Sequence, residues 1–319
     1  MVRICYLDMW CERYGNPQTL DEINDLQKWK EVDKIMNRDL VELPTGIGLL
    51  HIEELKKYIN VEVVLNPANA DVLITSCFGN RKTQYKDKKM IILGYEKECS
   101  DMDYHLYQKA LYITPFYFYN SLCKFYNLPL FYLYRGFDLT EKLMKKRRKN
   151  KKTDFCLSII SNKSSEKRNE YLKEIIKYKK VDNYGLFEKN KEDKLIERTT
   201  WYDPRLVDKI RPYKFMIAFE NECRENYNTE KILNAWLGNA IPIYFGDPNI
   251  EEFYNERAFI NVNKLGIDKA IEKIKDLDEN DDLYNEMFEE ALITEESKYI
   301  NYLNEERFRK TIKDFCLRR

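Results

Sequence analysis

Charged and amide side chains follow an apolar strand in the second half of the chain, close to the start of a helix. The run from Phe215 to Phe219 is typical of a buried strand, and Glu220 and Asn221 come directly after it. Open α/β sheets bind ligands at the carboxyl ends of their strands. Glu230 and Lys231 then open a predicted helix, and helix N-termini attract anions. The spacing therefore indicates a pocket for a ligand that carries phosphate.

The first turn of this helix places an acid beside a base. Asn228 or Thr229 is suited to cap it. A carboxylate such as Glu230 can accept hydrogen bonds from both hydroxyls of a ribose, and an ammonium such as Lys231 is tolerated there when a phosphate shares the site. The alternative is a solvated Glu–Lys pair of little energetic value. The polar residues before the helix, which include Tyr227, favour the nucleotide interpretation.

A second polar cluster lies between an earlier strand and its helix. Ser161 and Asn162 follow the apolar run from Phe155 to Ile160, and Arg168 lies near the start of the next helix. A guanidinium at this position can hold a diphosphate through two parallel hydrogen bonds. The alternative is a solvated helix arginine. The chain has no glycine-rich phosphate-binding pattern, so side chains would have to bind the phosphates.

A glutamate in the first half is placed to act as a general base. Glu96 lies on a turn directly after the apolar run from Met90 to Leu93, at the carboxyl end of a predicted strand. A solvated turn glutamate is the alternative interpretation. Asp101, Asp103 and His105 lie close by in the sequence and are either a polar rim or alternative bases.

The apolar runs alternate with helical patterns in both halves, which predicts two α/β units with parallel sheets. In the first half the predicted strands are Val2 to Leu7, Val61 to Leu65, Val72 to Thr75, Met90 to Leu93 and Leu111 to Thr114, with a helix over Leu49 to Tyr58. In the second half they are Phe155 to Ile160, Val181 to Tyr184, Phe215 to Phe219 and Ile241 to Tyr244. Helices are predicted over Glu166 to Lys179, Ile267 to Leu277, Leu283 to Leu292 and Tyr299 to Cys316.

The bulk composition narrows the class of protein. The chain has 319 residues, enough for two domains, and its 54 basic and 54 acidic side chains leave no net charge, which argues against nucleic-acid binding. Two histidines and eight singly spaced cysteines give little support for a metal site. We expect the cysteines to be buried, reduced thiols of a cytoplasmic protein. No window reaches the length of a membrane-spanning helix.

A dense basic run, Lys145 to Lys152, divides the two halves. Runs of like charge are usually solvated linkers, so we place a domain boundary here, with domains at 1–150 and 151–319. The alternative is contact with a phosphorylated acceptor or an anionic membrane surface, which would make the protein peripheral to the inner face of the membrane.

Four motifs follow one another at close spacing in the second half: Tyr213-Lys214-Phe215, Phe219-Glu220-Asn221, Tyr227-Asn228-Thr229-Glu230-Lys231 and Ile241-Pro242-Ile243-Tyr244-Phe245-Gly246. In this order they resemble the signature of the α-1,3/4-fucosyltransferases of glycosyltransferase family 10, particularly the bacterial branch. Ser161-Asn162 with Arg168-Asn169 is a weaker match. The resemblance is strong over about residues 155 to 262 and thin before that.

This resemblance implies a GT-B architecture, in which two Rossmann-like domains face each other across a cleft. It implies an N-terminal acceptor domain and a C-terminal GDP-fucose domain with closing helices. The implied reaction is inverting transfer of L-fucose from GDP-β-L-fucose to a hydroxyl of an oligosaccharide, α-1,3 to the GlcNAc of an N-acetyllactosamine-type acceptor. Inverting GT-B enzymes need not use a metal, so the implied reaction requires neither a metal nor another cofactor.

The resemblance also implies roles for individual residues. Arg168 and Lys231 would neutralise the departing diphosphate, Glu230 would hold the ribose, and Tyr227 would contact the nucleoside or phosphate. The full set of donor-binding residues is Ser161, Asn162, Arg168, Glu220, Asn221, Tyr227, Asn228, Thr229, Glu230 and Lys231.

The base is assigned to Glu96, with Glu98 as an alternative. The family has Gly-Glu-Asn here, whereas this chain has Gly94-Tyr95-Glu96-Lys97. Two other functions stay open at this point. The same scaffold can use a different nucleotide sugar, or the altered context of Glu96 can mark a nucleotide- or glycan-binding protein without catalysis.

Overall fold

The structure is a computed structural model that describes residues 1–7, 48–77, 81–94, 109–114, 124–128, 132, 137, 139–193, 204–225 and 227–318. The chain divides into two compact units. One comprises Met1–Phe137 together with Asn301–Arg319, and the other comprises Asp138–Ile300.

The first unit is built on a parallel sheet. Within the described residues it has six strands: β1 (Val2–Leu7), β2 (Val61–Val63), β3 (Val72–Ser76), β4 (Lys89–Leu93), β5 (Ala110–Thr114) and β6 (Lys124–Asn127), in the order β2-β1-β3-β4-β5-β6. Every residue of β3 and of β5 is buried, as expected for a parallel sheet whose two faces are both covered. Helix α1 (Ile52–Lys56) precedes β2.

The second unit contains another parallel sheet, with five strands among the described residues. These are β7 (Asp154–Ser158), β8 (Asp182–Asn183), β9 (Tyr213–Phe219), β10 (Ile241–Phe245) and β11 (Ile260–Asn261). Their order is β11-β10-β9-β7-β8. Because β8 lies on one side of β7 and β9 on the other, the strand order reverses between β7 and β9. Ligands of open α/β sheets bind at such a reversal.

The remaining helices connect and cover the second sheet, except for the last one, which belongs to the first unit. In chain order they are α2 (Leu139–Leu143), α3 (Glu166–Tyr178), α4 (Pro204–Ile210), α5 (Lys231–Leu237), α6 (Val262–Leu265), α7 (Ile267–Glu279), α8 (Asp281–Glu289) and α9 (Glu305–Leu317). The core of the second unit combines side chains of β7, β9, β10 and β11 and of α3, α7 and α8, including Phe215, Leu172 and Ile274.

The predicted strands are confirmed, with ends that differ by at most two residues. The apolar runs fix them because both faces of each strand are buried. Five short elements were not predicted: β6, β11, α2, α4 and α6. The helix predicted over Leu49 to Tyr58 is a 3₁₀ turn followed by the short α1. The last helix starts later than predicted because Asn304 caps it by accepting a hydrogen bond from the Arg307 amide at 2.8 Å.

The compact units differ from the domains predicted at 1–150 and 151–319. The division falls after Phe137, and α9 lies with the first unit instead of closing the second. In that unit the Tyr126 hydroxyl donates to the Tyr302 carbonyl at 2.9 Å, and its ring lies 5.3 Å from the ring of Phe308 on α9. The C-terminal segment therefore completes the core of the first unit.

The basic run from Lys145 to Lys152 is not a solvated linker throughout, and that prediction is wrong for two of its residues. Arg147 is only 7% exposed, and its backbone amide donates to the Glu289 carbonyl at 3.0 Å. The ammonium of Lys152 donates to the carbonyls of Arg211 and Asn239. Both side chains are therefore packed into the second unit.

Among the described residues, two cysteines depart from the expectation of buried, reduced thiols. Cys77 is disulfide-bonded, whereas Cys5, Cys156 and Cys316 are buried free thiols and Cys223 is an exposed one. Among the described residues no helix is both long and apolar enough to cross a membrane.

The packing of Lys152 predicts a dependence of stability on pH. Burial lowers the pKa of Lys152 from 10.5 to about 7, and Arg147 and Arg211 repel the charged form further. Between these two values the unfolded chain holds a proton that the folded chain has released, so the free energy of unfolding rises with pH there. We expect the wild type to gain stability relative to Lys152→Met as pH rises from about 7 to 10.5. Chemical denaturation across this range measures the difference.

The exposed neighbour Lys151 provides a control, because Lys151→Met removes one positive charge without removing a packed side chain. A difference between wild type and Lys152→Met that stayed constant across the window would contradict the account.

Candidate functional site

Three loops bring polar side chains together at the carboxyl edge of the second sheet. Strand β7 leads to Asn162, β9 leads to Glu220 and Asn221, and β10 leads to Gly246 and Asp247. The first two loops flank the reversal of strand order between β7 and β9. The parallel register of β9 and β10 pairs Phe219 with Phe245, so their following residues emerge side by side. This edge is where a ligand of the sheet would bind.

Glu220 is the centre of this cluster. Its side chain is fully buried, and its Oε1 accepts hydrogen bonds from the Thr229 amide at 2.7 Å and the Thr229 hydroxyl at 2.9 Å. Its Oε2 accepts from Lys231 Nζ at 2.8 Å. The same ammonium donates to Thr229 Oγ1 at 2.8 Å. A buried carboxylate is tolerated when it is paired and hydrogen-bonded in this way.

Space for the Glu220 side chain depends on the absence of a side chain at Gly246. A Cβ at this position would lie 2.5 Å from Glu220 Cγ and 2.6 Å from the Tyr244 hydroxyl oxygen. The amide of Asn263 holds Gly246 in place from the other side, accepting from its N–H at 3.0 Å and donating to its carbonyl at 2.8 Å. A glycine is therefore required at position 246, because the Glu220 and Tyr244 side chains approach its backbone too closely to leave space for a Cβ.

Helix α5 begins at Lys231, and Glu230 is its N-cap residue. The prediction that Asn228 or Thr229 caps the helix is wrong, because the Thr229 side chain binds Glu220 instead. Burial lowers the pKa of Lys231, but the carboxylates of Glu220 and Glu230 outweigh burial and hold the pKa above its ordinary value. The ammonium therefore stays charged, and its side chain remains 27% exposed. It presents a fixed positive charge at the edge of the sheet.

Arg168 joins the loop after β7 to the loop after β9. Its side chain on α3 is 1% exposed. One guanidinium nitrogen donates to Asn221 Oδ1 at 2.5 Å, and another donates to the carbonyl of Asn162. Its Nε has no hydrogen-bond partner in the part of the chain that the structure describes. Burial lowers the pKa of Arg168, and the nearby Glu220 and Tyr227 oppose that shift.

Asn228 supports the site from behind. It is 1% exposed, its amide nitrogen donates to Asp247 Oδ2 at 3.2 Å, and its amide oxygen accepts from the Tyr299 hydroxyl at 2.9 Å. Tyr227 beside it is also buried. The amide of Asn228 is thus engaged by protein groups and ties the loop before α5 to the loop after β10.

Not all of the predicted site residues are brought into this cluster. Ser161 is exposed. Asn162 contributes its backbone carbonyl, while its side chain accepts from the amide and hydroxyl of Ser164. The proposed base Glu96 lies outside the described residues, as do the alternatives Glu98, Asp101, Asp103 and His105.

Sequence reasoning missed the residues that shape the site without binding a ligand themselves. Gly246, Asp247 and Tyr299 belong to this group. A glycine and an aspartate directly after a buried strand were a usable signal for the first two, because loops at that edge approach one another. Tyr299 is distant in sequence and gave no such signal.

The arrangement is suited to an anionic ligand that needs two positive charges. Arg168 on α3 and Lys231 at the start of α5 supply those charges. Glu230 adds a carboxylate close to Lys231, with 3.6 Å between Oε1 and Nζ. Among the residues that the structure describes, no three His, Cys, Asp or Glu side chains form a cluster that could hold a metal ion. Cationic side chains are what the described part of this edge offers to phosphate oxygens.

The chain belongs to glycosyltransferase family 10, the fucosyltransferases. The model of the C-terminal domain of that family matches residues 148–316. The resemblance drawn from the motifs is thereby confirmed.

Solved structures support the fold. The structure superposes on a crystal structure of an α1,3-fucosyltransferase with GDP, with a TM-score of 0.68 at 18% identity. The superposition covers 99% of this chain and 90% of that chain. At this identity the similarity concerns the fold, which is the predicted GT-B class of two Rossmann-like units.

Curated relatives match part of the chain. GDP-fucose protein O-fucosyltransferase 3 of Xenopus laevis is 35% identical over 126 residues, covering 38% of this chain and 27% of that protein. The α-(1,3)-fucosyltransferase FucT of Helicobacter pylori is 37% identical over 97 residues, covering 30% of this chain and 20% of that protein. The matches thus span about a quarter of the length of these relatives.

The shared hydroxyl of Thr229 offers a test of the Glu220 cluster. Thr229→Val keeps the shape of the side chain but removes its hydrogen bonds to Glu220 and Lys231. We expect the free energy of unfolding to fall by about 1–3 kcal/mol, because a buried carboxylate oxygen loses a partner. Thr229→Ser keeps the hydroxyl and is the matched control. Urea denaturation of the three proteins measures the effect, and equal losses in the two variants would argue against the cluster.

Proposed function

We propose that this protein is an inverting fucosyltransferase that uses GDP-β-L-fucose as its donor. The observation that carries the proposal is the pair of cations at the strand-order reversal. Arg168 and Lys231 come from different helices, α3 and α5, and each is held by groups of the site itself. Membership of the fucosyltransferase family supplies the class of donor.

The reaction asks the site to stabilise a departing diphosphate. The acceptor hydroxyl attacks the anomeric carbon from the face opposite GDP, its proton passes to a general base, and the bond between the anomeric carbon and the phosphate oxygen breaks. Negative charge then grows on the diphosphate, where cations fixed before the reaction are most effective. Arg168 and Lys231 take this role. Because they supply the charge, the proposed reaction needs no metal.

The other site residues position the donor. Glu230 lies close enough to Lys231 to bind the ribose hydroxyls while Lys231 binds the phosphates. Asn221 accepts a hydrogen bond from Arg168, and we place the sugar of the donor beside it. Glu220 acts from behind, by holding Lys231 and Thr229 in place. Glu96 stays our prediction for the base, with Glu98 as the alternative.

The acceptor is the part of the proposal with two candidates. A hydroxyl of an oligosaccharide, α-1,3 to the GlcNAc of an N-acetyllactosamine unit, is the first candidate, and relatives named as α-(1,3)-fucosyltransferases favour it. A protein hydroxyl is the second candidate, and relatives named as protein O-fucosyltransferases favour it.

A GDP-release assay tests the proposal. GDP-fucose is incubated alone, with N-acetyllactosamine, and with a Ser/Thr-containing folded protein acceptor, and competition by GDP-mannose tests the donor sugar. We expect acceptor-stimulated GDP release with one of the two acceptor classes. Arg168→Met should lower kcat/KM by about 10²–10³-fold, whereas Lys167→Met, at the exposed neighbouring residue on α3, should leave it near the wild-type value.

The outcomes separate the alternatives. GDP binding without turnover of any acceptor would favour a nucleotide-binding protein, and preferential turnover of another GDP-sugar would reassign the donor. Failure to bind GDP at millimolar concentration would contradict the proposal as a whole.

A further inference from the structure

An open pocket lies at the other edge of the second sheet, away from the cluster around Glu220. Its volume is about 410 Å³, which is within the range of pockets that bind small molecules. It is formed by α2, the basic run that follows, and the turn between α5 and β10 with Trp236 and Asn239. Because Asn239 precedes β10, the pocket is at the amino ends of the strands. It is therefore separate from the proposed donor site.

The lining of this pocket is strongly cationic. One acidic side chain, Glu141, faces five basic ones: Lys142, Lys145, Lys146, Arg147 and Arg148. Glu141 pairs with Lys145, but both side chains are mostly exposed, at 78% and 67%. Such a surface pair contributes little and is readily exchanged for another partner. The pocket thus has an excess of positive charge for an incoming anion.

Arg147 differs from the other basic residues of the pocket because its side chain is buried and held in place by the protein. Its guanidinium is almost fully buried and lies 4.2 Å from the Phe288 ring centroid and 4.8 Å from that of Trp236. Nε donates to the Phe288 carbonyl at 2.7 Å, and Nη1 donates to the carbonyls of Trp236 and Ala240 at 3.1 and 2.9 Å. These contacts hold the guanidinium in one position, and Arg147 is one of the residues that line the pocket.

No anion within the described residues balances this buried charge. The three acceptors of Arg147 are neutral carbonyls, and its Nη2 has no hydrogen-bond partner among the described residues. Burial lowers the pKa of Arg147 to about 9, and Tyr284 opposes this shift. A buried charge is usually paired. The pairing group is therefore expected to come from outside the described part of the protein.

We propose that this pocket binds a phosphate group, with Arg147 as the fixed cation and the exposed Lys146 and Arg148 closing over the anion. Guanidinium groups match phosphate oxygens in geometry. The volume leaves space for the molecule that carries the phosphate, which is either a soluble phosphate compound or the headgroup of an anionic phospholipid. The proposal does not depend on the donor or on the reaction proposed above.

Two charge-reversal variants of the same basic run test the proposal. Lys146→Glu with Arg148→Glu changes residues that line the pocket. Lys149→Glu with Lys151→Glu changes the charge by the same amount at exposed residues of the run that do not line it. None of the four residues is packed in the core. Circular dichroism verifies that both variants are folded.

Binding is measured with GDP at saturating concentration, so that phosphate at the proposed donor site does not contribute. Inorganic phosphate is titrated by calorimetry, and sedimentation is measured with phosphatidylcholine vesicles with and without phosphatidylserine. We expect the wild type to bind in at least one arm, with affinity reduced about tenfold or more in the Lys146/Arg148 variant and unchanged in the Lys149/Lys151 variant.

The two arms identify the source of the phosphate. Binding of inorganic phosphate without vesicle binding supports a soluble ligand, and selective binding to phosphatidylserine vesicles supports a lipid headgroup. Equal losses in the two variants would mean diffuse attraction to the basic run and would overturn the proposal of a pocket. No binding by the wild type in either arm would overturn it as well.

Discussion

The buried ion pair between Glu220 and Lys231 is the interaction on which the site depends. A carboxylate that is fully removed from water is costly unless it is paired and hydrogen-bonded. Glu220 meets this requirement with Lys231 and with both donors of Thr229. These bonds tie the end of β9 to the start of α5. Gly246 at the end of β10 leaves the space in which they form.

The ion pair also explains how positive charge is kept at the edge of the sheet. Lys231 is held charged by two carboxylates but remains partly exposed, so it can face a ligand while Glu220 faces the core. Arg168 is organised in a similar way by neutral groups, the Asn221 side chain and the Asn162 carbonyl. The two cations are thus positioned before any ligand arrives. Preorganisation of this kind makes electrostatic stabilisation effective in a transition state.

Much of the fold follows from the sequence, because parallel strands are buried on both faces and read as continuous apolar runs. Strands β1, β3, β9 and β10 were recognisable for this reason. Strand β6 was missed because its first residue is exposed and its pattern is mixed, and α2 and α4 are too short to show a helical period. The grouping of α9 with the first unit depends on aromatic contacts far apart in sequence, which periodicity does not reveal.

The site was predictable to a similar degree. Glu220 was identified because it directly follows a strand, and Arg168 and Lys231 because they lie near the starts of the helices that follow strands, so that all three are expected at one edge of the sheet. The sequence did not show that Glu220 would be buried, since this depends on the missing side chain at Gly246. The sequence also did not show that Arg147, alone among the arginines of the basic run, would be buried against the rings of Trp236 and Phe288.

The most direct test of the central claim is a double-mutant cycle on the free energy of unfolding, with Glu220→Gln and Lys231→Met. The account predicts that Lys231→Met alone costs about 3–5 kcal/mol, because it leaves a buried carboxylate without its cation. In the Glu220→Gln background the same change should cost less, because the fully buried carboxylate that Lys231 neutralises is no longer there; the nearly buried Glu230 still loses a cation 3.6 Å away. If Lys231→Met costs the same in both backgrounds, the two residues act independently, and the ion pair does not organise the site.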